Sequence, residues 1–185
     1  MEYAGFKGIG ITLESAADPV LDRLQKGFGT REIYRAVDLV KKHRIPCAWI
    51  FMLGGPGETQ KTVKQTLLFA EKYIRSQDLV FFNIGLRIFP ETELETIARN
   101  DGILASSPTN MLNPVYYISP HLKTFWIEHQ VKDSLSKNMN FIGVNTMNLP
   151  FLTTINKIGY RLGMRPPLWK FARFINRGLR LIGMT

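Results

Sequence analysis

The sequence predicts an α/β protein built around a parallel sheet. Three apolar runs begin near residues 9, 47 and 79, and a helical pattern follows each of them. The run at 47–53 is apolar throughout, which is typical of a strand buried on both faces of a parallel sheet. Strands that alternate with helices at this spacing indicate βα units of either a (β/α) barrel or an open doubly wound sheet. In both arrangements ligands bind at the carboxyl ends of the strands.

The first unit consists of a strand at 9–13 and a short helix. Asp18 and Pro19 predict the helix start, because the carboxylate accepts from free backbone N–H groups and proline needs no donor there. We expect this helix to run to about Lys26 and to be broken by Gly27.

The next units repeat this order. A helix opened by Thr30 ends before Ile45, which precedes a proline and is therefore biased away from helical geometry. A glycine-rich turn follows the second strand and leads into another helix, and residues 79–88 predict the third strand. Pro90 closes that strand, and a short helix is expected at 93–100.

The signal weakens beyond residue 101. We expect a long loop at 106–120, a helix at 121–136, a linker at 138–150 and two helices at 151–162 and 167–182. The predicted regions are a βα body (1–105), a loop, helix and linker (106–150), and a basic helical tail (151–185).

The excess of positive over negative charge lies almost entirely in the C-terminal part of the chain. The formal net charge is +9, yet residues 1–133 hold 16 basic and 15 acidic groups, while residues 134–185 hold 8 basic groups and no acid. The pattern at 167–182 predicts a basic amphipathic helix. Such a helix suits an anionic membrane surface, packing on the body or a protein partner. Nucleic acid is less favoured, because no recognisable nucleic-acid-binding fold accompanies the charge.

Several classes of protein are excluded by composition. Cys47 is the one cysteine, which rules out an internal disulfide or a multi-cysteine metal site and indicates a reducing, cytoplasmic compartment. No secretory signal is visible, and no window of about 18 apolar residues predicts a membrane span. His121 and His129 are eight residues apart, which is not a usual zinc spacing.

The glycine-rich turn at 54–58 is the first candidate site. Its backbone could approach a ligand closely, and amides at a helix N-terminus favour anionic groups. The alternative is a tight turn with no ligand. A phosphate-binding P-loop is rejected, because Gln60 stands where that motif requires glycine.

Charged residues after the first strand form a second candidate. Glu14 could accept hydrogen bonds from ligand hydroxyls or an ammonium group, or it could cap the following helix. Lys26 or Arg23 could meet a ligand carboxylate, although a solvated charge at a helix end is the simpler interpretation.

Taken together, several motifs resemble the radical S-adenosylmethionine (radical SAM) superfamily. The matching strings are Gly-Ile-Thr-Leu-Glu-Ser (10–15), Leu-Gly-Gly-Pro-Gly-Glu-Thr (53–59) and Phe-Pro-Glu-Thr-Glu-Leu (89–94). The segment Asn-Pro-Val-Tyr-Tyr-Ile-Ser-Pro (113–120) is similar to members that carry an N-terminal cobalamin-binding domain. The resemblance covers about residues 8–120.

This resemblance implies the fold, the cofactors and the activity. The fold is the C-terminal half of a partial (β/α)6 TIM-like barrel, about three βα units, followed by an α-helical extension. The cofactors are S-adenosylmethionine, a [4Fe–4S] cluster in the intact family, and cobalamin held by a separate N-terminal domain. The activity is radical generation or methyl transfer on an unactivated carbon.

The resemblance also implies a set of cofactor-binding residues. Glu14 and Ser15 would lie near the methionine or ribose part, and Lys26 would meet the carboxylate. Phe51 stands where the family pattern has glycine. The other implied cofactor-binding residues come from the second strand, its turn and the end of the third strand. They are Leu53, Gly54, Gly55, Pro56, Gly57, Glu58, Arg87, Ile88 and Phe89.

The cluster-binding part of the family pattern is absent. Members hold the cluster through a Cys-x3-Cys-x2-Cys loop, and a cluster needs thiolate ligands. We therefore expect the C-terminal portion of a longer enzyme, from a truncated gene, a split gene or an engineered fragment, inactive alone. Its open sheet edges predict association with the missing N-terminal half or a second copy. The alternative function is a non-catalytic module that contacts a membrane surface or a protein through its basic C-terminal helices, with a peripheral membrane location.

Overall fold

The computed structural model describes residues 2–43, 45–104, 113–143 and 152–164, together with four single positions beyond them. The strands, in chain order, are β1 (Ile9–Glu14), β2 (Cys47–Leu53), β3 (Leu79–Ile84), β4 (Leu86–Arg87), β5 (Tyr116–Tyr117) and β6 (Phe141–Gly143). The helices are α1 (Asp18–Arg23), α2 (Thr30–His43), α3 (Gln60–Tyr73), α4 (Glu93–Asn100), α5 (Thr124–Lys137) and α6 (Leu152–Arg161).

Four strands form one parallel sheet in the order β1-β2-β3-β6. Helices and strands alternate along the chain, so the predicted α/β class with a parallel sheet is confirmed. The strand β6 lies within the segment that was expected to be a linker, and it pairs with β3. Because α5 and β6 extend the sheet, the described part of the chain contains four parallel strands rather than the three expected.

The two faces of the sheet differ in burial. Along β2, alternate residues from Cys47 to Leu53 are buried, and those between them are half-buried. The buried face carries Trp49, Phe51 and Phe82, and it packs against a hydrophobic core to which α2, α3 and α5 contribute. The opposite face is therefore only partly covered by the described residues, although its residues on β2 are also apolar.

The third predicted strand is divided in two. Gly85 has φ +82°, a left-handed conformation that glycine adopts without steric cost, and it separates β3 from β4. The strand β4 then leaves the parallel sheet and pairs antiparallel with β5, which lies in the expected long loop. The loop thereby returns to the carboxyl end of the sheet.

Asp18 caps a different helix from the one expected. The N-cap of α1 is Ala17, which makes no side-chain capping bond. The Asp18 carboxylate instead accepts from the backbone N–H of Thr30 at 2.7 Å and from its hydroxyl at 2.8 Å. It therefore satisfies a free donor at the start of α2.

A polar network joins the strands at their amino ends. Asp78 is 2% exposed and accepts from Arg75 Nη2 at 2.7 Å and Nε at 2.8 Å. The same carboxylate accepts from the backbone N–H of Cys47 and the indole of Trp49. Since these groups come from β2 and the α3–β3 connection, one buried carboxylate ties neighbouring elements together.

The C-terminal predictions have different outcomes. The helix α6 matches the first predicted tail helix in position. The basic amphipathic helix expected at 167–182 falls outside the described residues, apart from Phe171, Phe174, Arg177 and Gly178. In the described part of the chain, no helix is both long and apolar enough to cross a membrane.

Candidate functional site

The candidate site lies beyond the carboxyl ends of β1 and β2, where a charged pair projects from the sheet. Nζ of Lys26 is 2.9 Å from Oε2 of Glu14, and the two side chains are 23% and 17% exposed. The ammonium group also lies 5.6 Å from the ring centroid of Phe28. This pair offers both signs of charge at a partly open position.

The end of α1 places Lys26 opposite Glu14. The backbone N–H of Lys26 donates to Leu21, and that of Gln25 donates to Asp22, the two bonds of a Schellman motif. Gln25 has φ +51° at the position that usually holds glycine. The helix thus ends at Arg23, and Gln25 rather than Gly27 is the residue that turns the chain away from it.

Ser15 is directed into the protein. Its side chain is fully buried, and Oγ lies 3.1 Å from Oγ1 of Thr66 on α3. The same threonine hydroxyl accepts from the backbone N–H of Ala16 at 3.0 Å. In this structure Ser15 fixes the turn after β1 to α3 and offers no surface to a ligand.

The turn after β2 is closed on itself by Glu58. Its carboxylate accepts from the backbone N–H groups of Gly54 and Gly55. Those amides are consequently not free for an anionic ligand, which favours the tight-turn interpretation. A Cβ atom built on Gly55 would lie 3.7 Å from Leu24 and Leu86, so side chains from the C-cap of α1 and from β4 enclose the turn.

The segment around β5 covers the turn from the other side. Ser119 donates from its hydroxyl to the carbonyl of Glu58 at 2.8 Å and from its N–H to Gly54 at 2.9 Å. Glu58 is therefore fully buried, and its Oε1 atom has no hydrogen-bond partner among the described residues. Burial raises the pKa of this carboxyl to about 7. The hydrogen bonds from the N–H groups of Gly54 and Gly55 lower the pKa, but burial has the larger effect.

The predicted adenine-side residues on β2 lie in the core. Phe51 and Leu53 are both 0% exposed, and the ring of Phe51 contacts those of Phe69 and Phe82. Pro56 is also buried, and Gly57 has φ +71°. These residues shape the turn and its packing, and the two on β2 have no exposed surface through which to contact a nucleoside.

The third-strand residues divide between surface and core. Arg87 lies 4.9 Å from the ring centroid of Phe89, which is 42% exposed. Ile88 is buried in a small second cluster with Ala98 and Tyr117. Of this group, Arg87 and Phe89 are the residues with surface available to a ligand.

Thr66 and Ser119 were missed by the sequence analysis, although both hold the site together. Thr66 had a detectable signal, since it is a polar residue on the apolar stripe of α3 that also contains Val63, Leu67 and Ala70. Ser119 lies in the 113–120 segment that resembles the family, but nothing in the sequence indicated its contacts with Gly54 and Glu58, which are more than 60 residues away.

The described residues do not fit an iron–sulfur cluster. Cys47 is fully buried at the amino end of β2, opposite the end that carries the candidate site. Burial raises the pKa of its thiol to about 12, whereas cluster ligation needs thiolates. No group of three or more His, Cys, Asp or Glu side chains that could hold a metal was found in the described ranges.

Part of the chain matches a known protein family. Residues 1–70 match the model of the radical SAM superfamily. The predicted resemblance to that superfamily is confirmed. The radical SAM match contains β1, β2, the turn, Glu14 and Lys26, whereas Arg87 and Phe89 lie beyond it. No curated protein matches the sequence.

Solved structures share the fold. TsrM from Kitasatospora setae, a radical S-adenosylmethionine methyltransferase with bound cobalamin and [4Fe–4S] cluster, superposes with a TM-score of 0.70 at 20% identity. This similarity covers 97% of the present chain and 41% of that one. TsrM with tryptophan substrate and the SAM analogue aza-SAM gives a TM-score of 0.67 at 18% identity, covering 96% and 42%. The chain therefore spans about two-fifths of the length of these structures.

Proposed function

We propose that this chain contributes the S-adenosylmethionine-binding part of a radical SAM enzyme that generates a radical or transfers a methyl group to an unactivated carbon. The observation that carries the proposal is the Glu14–Lys26 pair, which lies at a strand end inside the region that matches the radical SAM model. Ligands of parallel α/β folds bind at such strand ends.

The charged pair fits the amino-acid end of S-adenosylmethionine. That end carries an ammonium group and a carboxylate, which complement Glu14 and Lys26 respectively. When the ligand binds, the internal contact of 2.9 Å would be exchanged for two contacts to the ligand. Each partly buried charge keeps an opposite partner in this exchange, so neither pays an uncompensated desolvation cost.

A radical step requires groups that the described residues do not supply. The bound [4Fe–4S] cluster supplies the electron for reductive cleavage of S-adenosylmethionine in this chemistry. Since Cys47 does not fit that role, we propose that a second polypeptide, either a missing N-terminal half or another copy of the chain, brings the cluster ligands. The N-terminal part would also bring cobalamin, as bound in TsrM. These cofactors suit a reducing, cytoplasmic environment.

The sheet offers a place for that second polypeptide. Among the described strands, β1 pairs with β2 alone, so its other edge has backbone groups free to pair. The partly covered face beside that edge carries Ile50, Met52 and Phe81, which are half-buried. A second polypeptide could add a parallel strand to the free edge of β1 and pack against the partly covered face, which would bury both the edge and the face.

The first experiment measures S-adenosylmethionine binding to the chain by isothermal titration calorimetry. Glu14→Gln and Lys26→Met should each weaken binding about tenfold or more, because each removes a charge-assisted contact. Lys137→Met is the matched control, since Lys137 lies in an ion pair on α5. Equal affinities in all four proteins would contradict the assignment of the charged pair.

The second experiment tests catalytic incompleteness. The chain is incubated with iron, sulfide and reductant, then assayed for the cluster chromophore and for 5′-deoxyadenosine. We expect neither until a polypeptide that carries a Cys-x3-Cys-x2-Cys loop is added. A stable cluster and product from this chain alone would show that the proposed need for a partner is mistaken.

A further inference from the structure

The exposed surface of α6 combines a basic row with an apolar row. Lys157 and Arg161 are exposed and lie one turn apart, at i and i+4. Ile158 and Leu162 have the same spacing and are 51% and 76% exposed. Tyr160, which is 54% exposed, lies on the far side of the basic row. The helix thus presents its cations between aliphatic and aromatic side chains.

The end of α6 is closed by backbone hydrogen bonds. Met164 N–H donates to the carbonyl of Gly159 at 2.9 Å, and Gly163 N–H donates to that of Tyr160 at 3.1 Å. Gly163 has φ +76°, so the helix closes in a Schellman motif. Gly159 is buried, whereas the described residues on either side of it, 157–158 and 160–162, are exposed.

The charge around α6 selects an anionic partner. Residues 134–185 contain eight basic residues and no acidic residue. Asp133 is the acidic residue that directly precedes this segment, and its carboxylate accepts a hydrogen bond from Nζ of Lys137 at 2.6 Å. A partner with negative charge would therefore meet cations from this segment without an opposing carboxylate from the same stretch.

We propose that α6 binds an anionic lipid surface. Lys157 and Arg161 would contact lipid phosphates, while Ile158 and Leu162 enter the boundary between headgroups and acyl chains. Tyr160 suits the same interface, because its ring is apolar and its hydroxyl stays hydrated. Interfacial helices combine these two contributions, buried apolar area and attraction to anionic lipids. The proposal is independent of the S-adenosylmethionine site.

Vesicle flotation tests it with the full chain. We expect binding to phosphatidylcholine vesicles that contain about one third phosphatidylserine, and little binding to phosphatidylcholine alone. The double variant Lys157→Glu/Arg161→Glu should lower the partition coefficient about 25-fold or more, since each basic residue near such a surface contributes about fivefold. The variant Ile158→Ser/Leu162→Ser should also weaken binding, whereas raised salt should affect only the electrostatic part.

The control reverses the same amount of charge elsewhere. Lys7 and Lys132 are both exposed, so Lys7→Glu/Lys132→Glu changes the net charge equally and leaves α6 intact. Circular dichroism of every variant checks that each remains folded. Equal loss in the control and the α6 variant would overturn the proposal, as would equal binding to neutral vesicles. Tighter binding of a single-stranded oligonucleotide than of anionic vesicles, abolished by the α6 variant, would also overturn it in favour of nucleic acid.

Discussion

Lys26 Nζ contacts Glu14 Oε2 at 2.9 Å, and each side of this ion pair depends on a residue in the left-handed conformation. Glu14 itself has φ +66°, and Gln25, which precedes the lysine, has φ +51°. Such conformations are costly for residues with a Cβ atom and cluster at functional sites. At Gln25 this conformation closes the Schellman motif that ends α1, whereas at Glu14 it coincides with the irregularity in the pairing of β1 with β2.

The strain at Glu14 can be measured by comparing two substitutions. Glu14→Gly and Glu14→Ala both remove the carboxylate, but only glycine adopts φ +66° without steric cost. We expect the glycine variant to be more stable by about 1 kcal/mol in urea unfolding. Thr12 is a strand residue without a positive φ, so there Thr12→Ala should be more stable than Thr12→Gly. Equal stabilities of the two Glu14 variants would refute the strain.

Glu58 should make stability depend on pH. Its pKa is about 7 in the folded chain, against 4.5 for an unperturbed glutamate, so the folded state binds the proton more tightly. Stability is then fully present below about pH 4.5 and falls as pH rises through 7. The difference in pKa corresponds to roughly 3 kcal/mol at most.

The neutral variant Glu58→Gln isolates this effect. Subtracting its free energy of unfolding from that of the wild type cancels the other titrating groups. We expect the difference to change steadily between about pH 4.5 and 7 and to level off outside that window. A difference that stays constant across this range would argue against a protonated Glu58 in the folded chain.

The buried Arg75–Asp78 pair should matter for stability far more than an exposed pair does. Asp78→Ala removes the acceptor of the Cys47 N–H and the Trp49 indole, and it leaves the Arg75 guanidinium with the carbonyl of Ile45 but no carboxylate. Removing one partner of a buried pair costs about 3–5 kcal/mol. Asp133→Ala is the control, because its pair with Lys137 is more than half exposed. The measurement is equilibrium urea unfolding. Similar losses in both variants would contradict the importance of the buried network.

The βα body could be predicted from the sequence because its signals are local. The strands β1 and β2 and the helices α2, α3 and α4 follow from apolar periodicity and from glycine and proline turns. The strand β6 has three residues and β5 has two, which is too short for any periodic signal. Their pairing partners, β3 and β4, are distant in sequence, so only the folded chain shows that the expected loop and linker join the two sheets.

The sequence also placed the candidate site residues only in part, because it does not show which face of a strand is buried. The resemblance assigned Glu14 and Lys26 separately to parts of S-adenosylmethionine, and the two side chains form an ion pair in the structure. The strand β2 is apolar on both faces, so its sequence does not reveal which alternate residues face the helices. The family resemblance assigned Phe51 and Leu53 to ligand contact, whereas both lie on the buried helix-facing side.

Gly85 should be sensitive to substitution because two costs meet there. Its φ is +82°, and an added Cβ would lie 3.1 Å from the Cβ of Tyr116 and 3.3 Å from the carbonyl oxygen of Tyr117. Gly102 has a similar φ of +72° with nothing within 4 Å, so Gly102→Ala measures the conformational cost alone. We expect Gly85→Ala to lose more than the roughly 1 kcal/mol of that control.

The additional loss at Gly85 should be accompanied by a local change. The backbone of Tyr117 lies next to Gly85, and its side chain packs with Ile88 and Ala98 in the second cluster. Displacing Tyr117 would therefore loosen the segment that covers the Glu58 turn. Leu86 lies in β4, and the N–H of Ser119 holds the covering segment to the turn. Amide hydrogen exchange at these two residues should therefore accelerate in Gly85→Ala and not in Gly102→Ala. Equal exchange rates in the two variants would mean that the cover tolerates the added methyl group and that β4 and β5 do not depend on the glycine.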